Sequence, residues 1–339
     1  METRSRIIGL DIIRAMAIVF VIAGHFFLLN TPFKEHNVTD LSMFVQGCAL
    51  SLFMIGVPLF ITLTGYLNTG KRWSAAYYKG LVPILLLYLF YCVITIIFRT
   101  YYLEDVSTAT QWAMRVLDFS AVPYGWYIEM YIGLFFFIPF LNLTPQEHTK
   151  TILIILFFVT IFPHWINRNG LHLAPGFWKD MWPLAYYYLG RYIKENQPVL
   201  VAKYALPIAL LVMMANPFLC LLFSSEKYTL FLGGPEDIAS FVLTAIVFTK
   251  LYNSNRISTI TIYIYAARHI SINALDIYLC CYIFDALFYP FFKAEFYESQ
   301  SQFGIWIFIL VPLVLISSLI VAIARRKFIP FETIKNRLP

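Results

Sequence analysis

The residues of this chain best suited to chemistry are Arg14 and His25, which lie on the first long apolar segment, eleven positions apart. Eleven steps of about 100° return a helix to nearly the same face, about 16 Å further along its axis. A guanidinium group binds phosphate or carboxylate through paired hydrogen bonds, and an imidazole exchanges a proton near neutral pH. The spacing therefore predicts an anion-binding group and a proton-transfer group on one stripe of a helix.

The element that positions these two side chains is predicted to be a transmembrane helix. Of the 339 residues, 60% are hydrophobic and 13% are charged, whereas soluble domains are about 25% charged. Apolar runs near the 20 residues that a bilayer requires recur along the chain. We predict an all-α, polytopic transmembrane helix bundle of about ten helices, at about residues 7–29, 42–67, 80–98, 122–143, 150–164, 181–193, 199–223, 236–252, 271–292 and 304–324.

Charged residues inside a membrane are costly, by about 2.5 to 3.5 kcal/mol for a central Arg on insertion scales, so they normally face a protein interior or a wet cavity. Asp11 lies one turn before Arg14, and a buried Asp–Arg pair could simply hold helices together. His25 could likewise be a histidine that is hydrogen-bonded at a helix end. Both structural alternatives stay open beside a functional site.

The distribution of basic residues predicts the orientation of the bundle. Most of the 25 Lys and Arg residues fall in segments that are cytoplasmic if the N-terminus is inside. We therefore predict cytoplasmic termini, a multi-pass protein of the cytoplasmic (inner) membrane and a single integral domain over residues 1–339. The net charge of +6 then reflects topology and contact with membrane lipids, and no nucleic-acid partner is predicted.

The densest basic patch between predicted helices comprises Lys71, Arg72 and Lys79. This patch is cytoplasmic in the predicted orientation, where it could bind the phosphates of a nucleotide-bearing donor. The ordinary excess of basic residues in cytoplasmic loops would also explain this patch.

The five cysteines lack the paired spacing of metal ligands, so no metal site is predicted.

The fourth predicted helix starts at the outer face with Trp126, Tyr127 and Glu129. Aromatic residues are common at membrane interfaces, but Trp and Tyr rings can also stack on sugars, and a carboxylate within a membrane helix needs a reason. These three residues are therefore candidates for the acceptor side of a site.

The fifth and sixth predicted helices are short, and residues 165–180 between them are rich in Trp, Asn, Gly and Pro. These two helices could therefore be tilted or partly interfacial.

An ordered set of motifs resembles a known family. The stretch from Leu10 and Asp11 through Arg14 to His25 is similar to the first-helix motif of the acyltransferase-3 family of bacterial integral-membrane acyltransferases. Further similar motifs follow in the same order, at Val57–Leu67, at Trp126–Tyr127 with Pro139–Leu141, and at Tyr188–Arg191.

The resemblance implies acyl transfer from cytoplasmic acyl-CoA, usually acetyl-CoA, to a hydroxyl of an envelope carbohydrate or lipid-linked glycan. His25 would be the catalytic histidine and Arg14 a donor-site residue, with the basic patch near the CoA. No permanently bound cofactor is implied, and self-association of the chain stays open. Cys281 stands where the family has a second histidine, so the role of that histidine is not carried over, and Gly80 and Pro83 stand where basic residues are common.

Two further alternatives belong to other classes of protein. Asp11, Arg14 and His25 could form an ion or proton relay in a secondary transporter, although the internal symmetry of many transporters is not detectable in this sequence. The chain could also move acyl groups or acylated lipids without transferring them to an external acceptor. If it is an acyltransferase, His25 could act as a general base or as a transient acyl carrier.

Overall fold

A computed structural model describes residues 7–29, 40–167, 172–199, 202–222, 234–252, 261–292, 300–331 and 333. These residues contain no β-strand, which confirms the predicted all-α class. The helices are α1 (Ile8–Leu29), α2 (Leu41–Phe53), α3 (Gly56–Asn68), α4 (Ala75–Tyr78), α5 (Val82–Tyr101), α6 (Ala109–Leu117), α7 (Trp126–Leu141), α8 (Thr149–Leu156), α9 (Phe162–Ile166), α10 (Trp182–Asn196), α11 (Ala202–Leu222), α12 (Ile238–Leu251), α13 (Thr261–Ile272), α14 (Ala274–Phe288), α15 (Gln300–Phe303) and α16 (Ile307–Phe328).

Each of the ten predicted apolar segments overlaps a helix, and within the described ranges seven spans are long and apolar enough to cross a membrane. Two segments that were predicted as single continuous α-helices are interrupted in the structure. The segment predicted at 42–67 is broken between α2 and α3, and the one predicted at 150–164 contains a π-helical turn at Phe157–Ile161. The ninth predicted helix begins at Ala274 rather than at residue 271, because α13 is a separate helix that ends at Ile272.

Local chemistry explains several helix boundaries. The Asp40 side chain accepts a hydrogen bond from the Met43 amide, which caps α2 at its N-terminus. Thr108 and Gln111 form a reciprocal capping box at the start of α6. Pro163 has no amide hydrogen, so it cannot donate to the ladder of the preceding π-helical turn at Phe157–Ile161, and it instead stands in the first turn of α9.

The chain divides into two compact units, each built from three separate stretches. The first unit comprises Met1–Thr69, Pro145–Ile272 and Phe292–Val311, and the second comprises Gly70–Thr144, Asn273–Phe291 and Pro312–Pro339. Helices α1 to α3, α8 to α13 and α15 therefore belong to the first unit. Helices α4 to α7 and α14 belong to the second, as does α16 from Pro312 onward.

In the first unit, α1 packs against α2, α3, α12 and α13, and α3 packs closely against α10. Glycine makes the α3–α10 contact close. A β-carbon at Gly65 would collide with the Tyr187 carbonyl oxygen, and one at Gly190 would collide with the Thr62 carbonyl oxygen. The backbones of the two helices therefore touch directly, as small residues allow in membrane helix pairs.

In the second unit, α5 packs against α6 and α14. The Tyr88 hydroxyl donates to the Val116 carbonyl oxygen at 2.9 Å and so ties α5 to α6. The start of α14 is joined to the end of α16 by Asp276 and Arg325, which form an ion pair in which both side chains are almost completely buried. This pair fixes two helix ends of the second unit.

Candidate active site

Helix α1 carries three of the predicted site residues on one uninterrupted helix of 22 residues. Asp11 is buried, whereas Arg14 and His25 are half-buried. Because the helix is continuous between them, Arg14 and His25 keep the eleven-residue spacing that returns their side chains to nearly the same face. The Nδ1 atom of His25 is itself buried, so solvent does not reach that side of the ring.

A serine from a distant part of the chain joins Asp11 to Arg14. The Ser271 hydroxyl, near the end of α13, donates to the Asp11 Oδ1 atom at 2.7 Å and accepts from the Arg14 Nη1 atom at 3.3 Å. Ser271 is buried, and it fixes the guanidinium group relative to the carboxylate. The sequence predicted Asp11 as the neighbour of Arg14 but gave no sign of Ser271, which lies 257 positions after Arg14.

The N-terminal end of α1 defines one end of the first unit. The Gly9 backbone lies against the carbonyl groups of Leu251 and Tyr252 at the end of α12. The Tyr252 ring packs on Tyr66 near the end of α3, and the Lys194 ammonium lies 4.6 Å from the centre of the Tyr66 ring. We call this the Gly9 end of the unit. Arg14 lies about one and a half helical turns from Gly9.

The opposite end of the first unit contains His25. The neighbouring Phe26 ring stacks on Phe303 of α15, with 5.4 Å between the ring centres. Gly24, which precedes His25, carries no side chain, and a β-carbon there would approach the Met54 methyl group at the break between α2 and α3. We call this the His25 end of the unit. Arg14 is thus the deeper of the two residues as seen from the His25 end, and about 16 Å separates them along the axis.

The predicted basic patch belongs to the second unit, in the turn before α4 and at its end. Lys71 and Arg72 are exposed, and Lys79 is half-buried. The Asn142 side chain donates to the Lys71 carbonyl oxygen at 2.9 Å, and Trp73 packs edge-on against an aromatic ring of α7. The patch is therefore a supported loop with two cationic side chains directed away from the protein interior.

The predicted acceptor-side residues also belong to the second unit, in the first turn of α7. Trp126 is 41% exposed and Glu129 is exposed, whereas Tyr127 is buried. The Tyr127 ring lies 5.1 Å from that of Tyr278. Tyr127 thus has a packing role, and Trp126 and Glu129 are the members of this group whose surfaces are open.

The structure therefore brings some predicted residues together. Asp11, Arg14 and His25 share α1, and Asp11 and Arg14 also share the Ser271 hydroxyl. The basic patch and the first turn of α7 belong to the second unit. Within that unit they lie near opposite ends of α7, because Asn142 follows α7 and Trp126 begins it.

Sequence reasoning passed over two buried carboxylates on α14. Asp276 pairs with Arg325, and Asp285, only 3% exposed, accepts a hydrogen bond of 2.6 Å from the Tyr124 hydroxyl. Cys281, on the same helix, is fully buried, and its thiol donates to the Tyr278 carbonyl oxygen. The sequence could have indicated both aspartates, because an acidic residue in an apolar membrane segment normally pairs with another group inside the protein.

Comparison with known proteins identifies the family. The family model described as an acyltransferase domain, that of acyltransferase-3, matches residues 7–323. The chain belongs to the acyltransferase-3 family. Searches of curated proteins and of solved structures gave no match. The matched range of this acyltransferase-3 chain includes α1 and its site, the basic patch, α14 and most of α16. Together with the apolar spans, family membership makes the chain a multi-pass membrane acyltransferase.

Proposed function

We propose that this acyltransferase moves an acetyl group from cytoplasmic acetyl-CoA to a hydroxyl of an envelope carbohydrate or lipid-linked glycan. The observation that supports the proposal most is the placement of Arg14 and His25 on one continuous helix of an acyltransferase-3 chain. Arg14 lies toward the Gly9 end and His25 at the opposite end of the first unit. These positions suit a reaction in which the donor binds from one side of the membrane and the acceptor binds from the other.

In a direct transfer, the His25 imidazole takes the proton of the acceptor hydroxyl while the hydroxyl oxygen attacks the thioester carbonyl carbon. The new C–O bond forms and the C–S bond breaks. The proton held by His25 then passes to the CoA thiolate, which leaves as the thiol. Donor and acceptor must meet at His25 in this mechanism.

In a covalent transfer, a His25 ring nitrogen attacks the thioester and CoA leaves as the thiol, so that the acetyl group is carried on the imidazole. The acceptor hydroxyl oxygen then attacks the acetyl carbon, the C–N bond breaks, and the hydroxyl proton passes to the released imidazole nitrogen, which restores His25. In this mechanism acetyl-CoA and the acceptor can bind one after the other. Trapped acetylated His25 would support this mechanism over direct transfer.

Arg14 is proposed to bind an anionic part of the donor. The Ser271 hydroxyl and the Asp11 carboxylate orient its guanidinium group, which suits paired bonds to a phosphate or carboxylate. Lys71, Arg72 and Lys79 are proposed as further donor-binding residues because two of them are exposed on a supported loop. Trp126 and Glu129, with exposed surfaces, are proposed as acceptor-side residues. Tyr127 is buried, so in this proposal it only supports Trp126 and Glu129 through its packing.

The proposed acceptor class has one further basis in the sequence. The ordered motifs are similar to those of the O-acetyltransferase that modifies enterobacterial common antigen, which supports a glycan acceptor and an inner-membrane location. A mass-spectrometric comparison of envelope glycans from cells with and without the chain tests it. We expect a shift of one acetyl unit on one glycan, and label from radioactive acetyl-CoA in the same glycan when isolated membranes are used.

Two outcomes would contradict the proposal. Unchanged glycans, with uptake of an intact solute that does not depend on acetyl-CoA, would favour the transporter alternative. Acetyl label that stays in membrane lipid, with none in any glycan, would favour movement of acyl groups without transfer to an external acceptor. A strain that expresses the chain with His148→Ala, a change at an exposed histidine, serves as the matched positive control.

A further inference from the structure

A cavity of about 650 Å³ lies between the end of α9 and the start of α10, in the first unit. Ligand pockets commonly have volumes of about 300 to 1,000 Å³, so this one is large enough for a sugar residue. Its lining residues include His164, Asn167, His172, Phe177 and Lys179. None of the residues proposed above for acyl transfer lines it.

Side-chain hydrogen bonds hold the wall of this cavity in shape. The Asn167 carbonyl oxygen accepts from the amides of Leu173 and Ala174 at 2.8 and 2.9 Å, and its amide nitrogen donates to the Ala174 carbonyl oxygen at 2.7 Å. The His164 Nε2 atom donates to the Lys179 carbonyl oxygen at 3.1 Å. Asn167 therefore closes the segment before α10 into a loop, and His164 ties α9 to the other side of that loop.

The lining favours an anionic partner. His172 and Lys179 bring an imidazole ring and an ammonium group, whereas the His164 Nε2–H is already bonded to the Lys179 carbonyl oxygen, and none of the described lining residues carries a carboxylate. Imidazole and ammonium groups donate hydrogen bonds to a carboxylate or phosphate, and bonds to charged acceptors are the stronger ones. Asp180 is exposed next to Lys179, but it is not part of the lining.

An aromatic ring in the lining favours a saccharide over a simple ion. Phe177 is 86% exposed. Membrane-interface belts also contain such rings, but Phe177 lines the same cavity as His172 and Lys179. A flat apolar face beside convergent polar groups is the usual construction of a small-molecule site, and it matches a sugar ring that bears an acid group.

The cavity lies at the His25 end of the first unit. Lys194, near the end of α10, is at the Gly9 end, so the start of α10 and the loop before it point the other way. The Tyr186 hydroxyl, one turn into α10, donates to the Pro235 carbonyl oxygen just before α12, and the far end of α12 contacts Gly9. The cavity and His25 therefore lie at the same end of the first unit.

We propose that this cavity binds a carboxylate-bearing sugar of the glycan acceptor, at a distance from the hydroxyl that is acetylated. The inference rests on the proposed function, because it makes the cavity a specificity site of the same reaction. Binding energy from a remote part of a substrate can position its reactive part. The chain should therefore select acidic glycans over neutral ones.

The direct test measures binding of glucuronate and of glucose to the full chain in detergent, by saturation-transfer NMR. We expect glucuronate to bind with a dissociation constant at least about tenfold lower than that of glucose, because bonds to a charged group are lost with the neutral sugar. The combined change His172→Ala with Lys179→Ala should remove this preference. The change Lys203→Ala, which removes an exposed cation at the other end of the unit, should leave it intact.

Three results would overturn the inference. Equal binding of the two sugars would contradict the role of the basic residues. Inorganic phosphate that displaces glucuronate as well as unlabelled glucuronate does would show a bare anion site. A double variant that alters binding only to vesicles containing phosphatidylglycerol, and not to glucuronate, would show a lipid headgroup site.

Kinetics separate this inference from the proposed function. With a glucuronate-containing glycan as acceptor, the double variant should raise the KM for the glycan about tenfold, while kcat and the KM for acetyl-CoA stay near wild type. Lys179→Arg should retain most of the acceptor affinity. An active double variant with unchanged glycan KM would refute the cavity's role and leave the acetyl-transfer proposal standing. Glucuronate binding without any acetyl transfer would instead refute the acetyl-transfer proposal and leave the cavity as a sugar-binding site with no role in that reaction.

Discussion

Two Asp–Arg arrangements in this chain use the same residue types in different ways. In the first unit, the Ser271 hydroxyl contacts both Asp11 and Arg14, and Arg14 is half-buried. In the second unit, the Arg325 Nε and Nη2 atoms contact both carboxylate oxygens of Asp276, at 2.7 and 2.5 Å, and each residue is less than 5% exposed.

The difference separates a structural pair from a candidate binding residue. Asp276 also accepts from the Tyr91 hydroxyl, and the Arg325 Nη1 atom donates to the Ile329 carbonyl oxygen, so the second pair is buried among protein partners. Breaking such a pair leaves a buried charge and is strongly destabilising. Arg14 keeps part of its surface open, which a donor-binding residue requires. Burial and geometry, rather than residue type, therefore distinguish the two roles.

The largest expected effect on stability is that of Arg325→Ala. This change should lower the free energy of unfolding by about 3 to 5 kcal/mol, because it leaves the Asp276 carboxylate buried without its ion-pair partner. Thermal unfolding of the purified protein in detergent measures it. Arg14→Ala in the same assay should cost much less, and equal losses of stability in the two variants would break the distinction between them.

The second prediction concerns function. Arg14→Lys keeps the charge but loses the paired geometry of the guanidinium group, so the KM for acetyl-CoA should rise about tenfold or more with little change in the thermal midpoint. Arg325→Lys should give the opposite result, a lower thermal midpoint with the acetyl-CoA KM of the folded fraction unchanged. If Arg14→Lys left the KM for acetyl-CoA at the wild-type value, Arg14 would not be a donor-site residue.

A smaller effect is expected when the bridge alone is removed. Ser271→Ala deletes the hydroxyl that orients Arg14, which should destabilise the protein by about 1 kcal/mol and raise the acetyl-CoA KM several-fold. Ser51→Ala is a matched control, because Ser51 is also a buried serine but its hydroxyl donates to the Gly47 carbonyl oxygen of its own helix. Ser271→Thr, which retains a hydroxyl, should recover part of the lost affinity.

The smallest effect concerns a third Asp–Arg group, whose carboxylate, Asp105, lies outside the membrane spans. Hydrogen bonds from Ser107, Arg115 and Arg99 hold the pKa of the Asp105 carboxyl well below its usual range. Because the folded-state pKa is lowered, the stabilisation is present near neutral pH and is lost as the pH falls below about 4. The thermal midpoint of wild type should exceed that of Asp105→Asn slightly at pH 7, and the gap should narrow on acidification. A gap that widens in acid would contradict this sign.

Much of the fold followed from the sequence, because bilayer thickness dictates helix length and makes apolar segments easy to locate. The placement of Arg14 and His25 on one helix followed from helical periodicity. Contacts between distant segments did not follow. Ser271 and the cavity before α10 depend on tertiary packing, and the hydrogen bonds of Asn167 cannot be read from a single sequence. Asp276 and Asp285 could have been singled out, since each is an acidic residue in an apolar segment.

The most direct test of the central claim is acetyl transfer by His25→Ala. Membranes with equal amounts of folded wild type, His25→Ala or His148→Ala are supplied with labelled acetyl-CoA, and label in the envelope glycan is counted. Loss of a general base or of a nucleophile should lower the rate by about 100-fold to 10,000-fold or more in His25→Ala alone. A His25→Ala rate within a few-fold of wild type would contradict the assignment of the chemistry to His25.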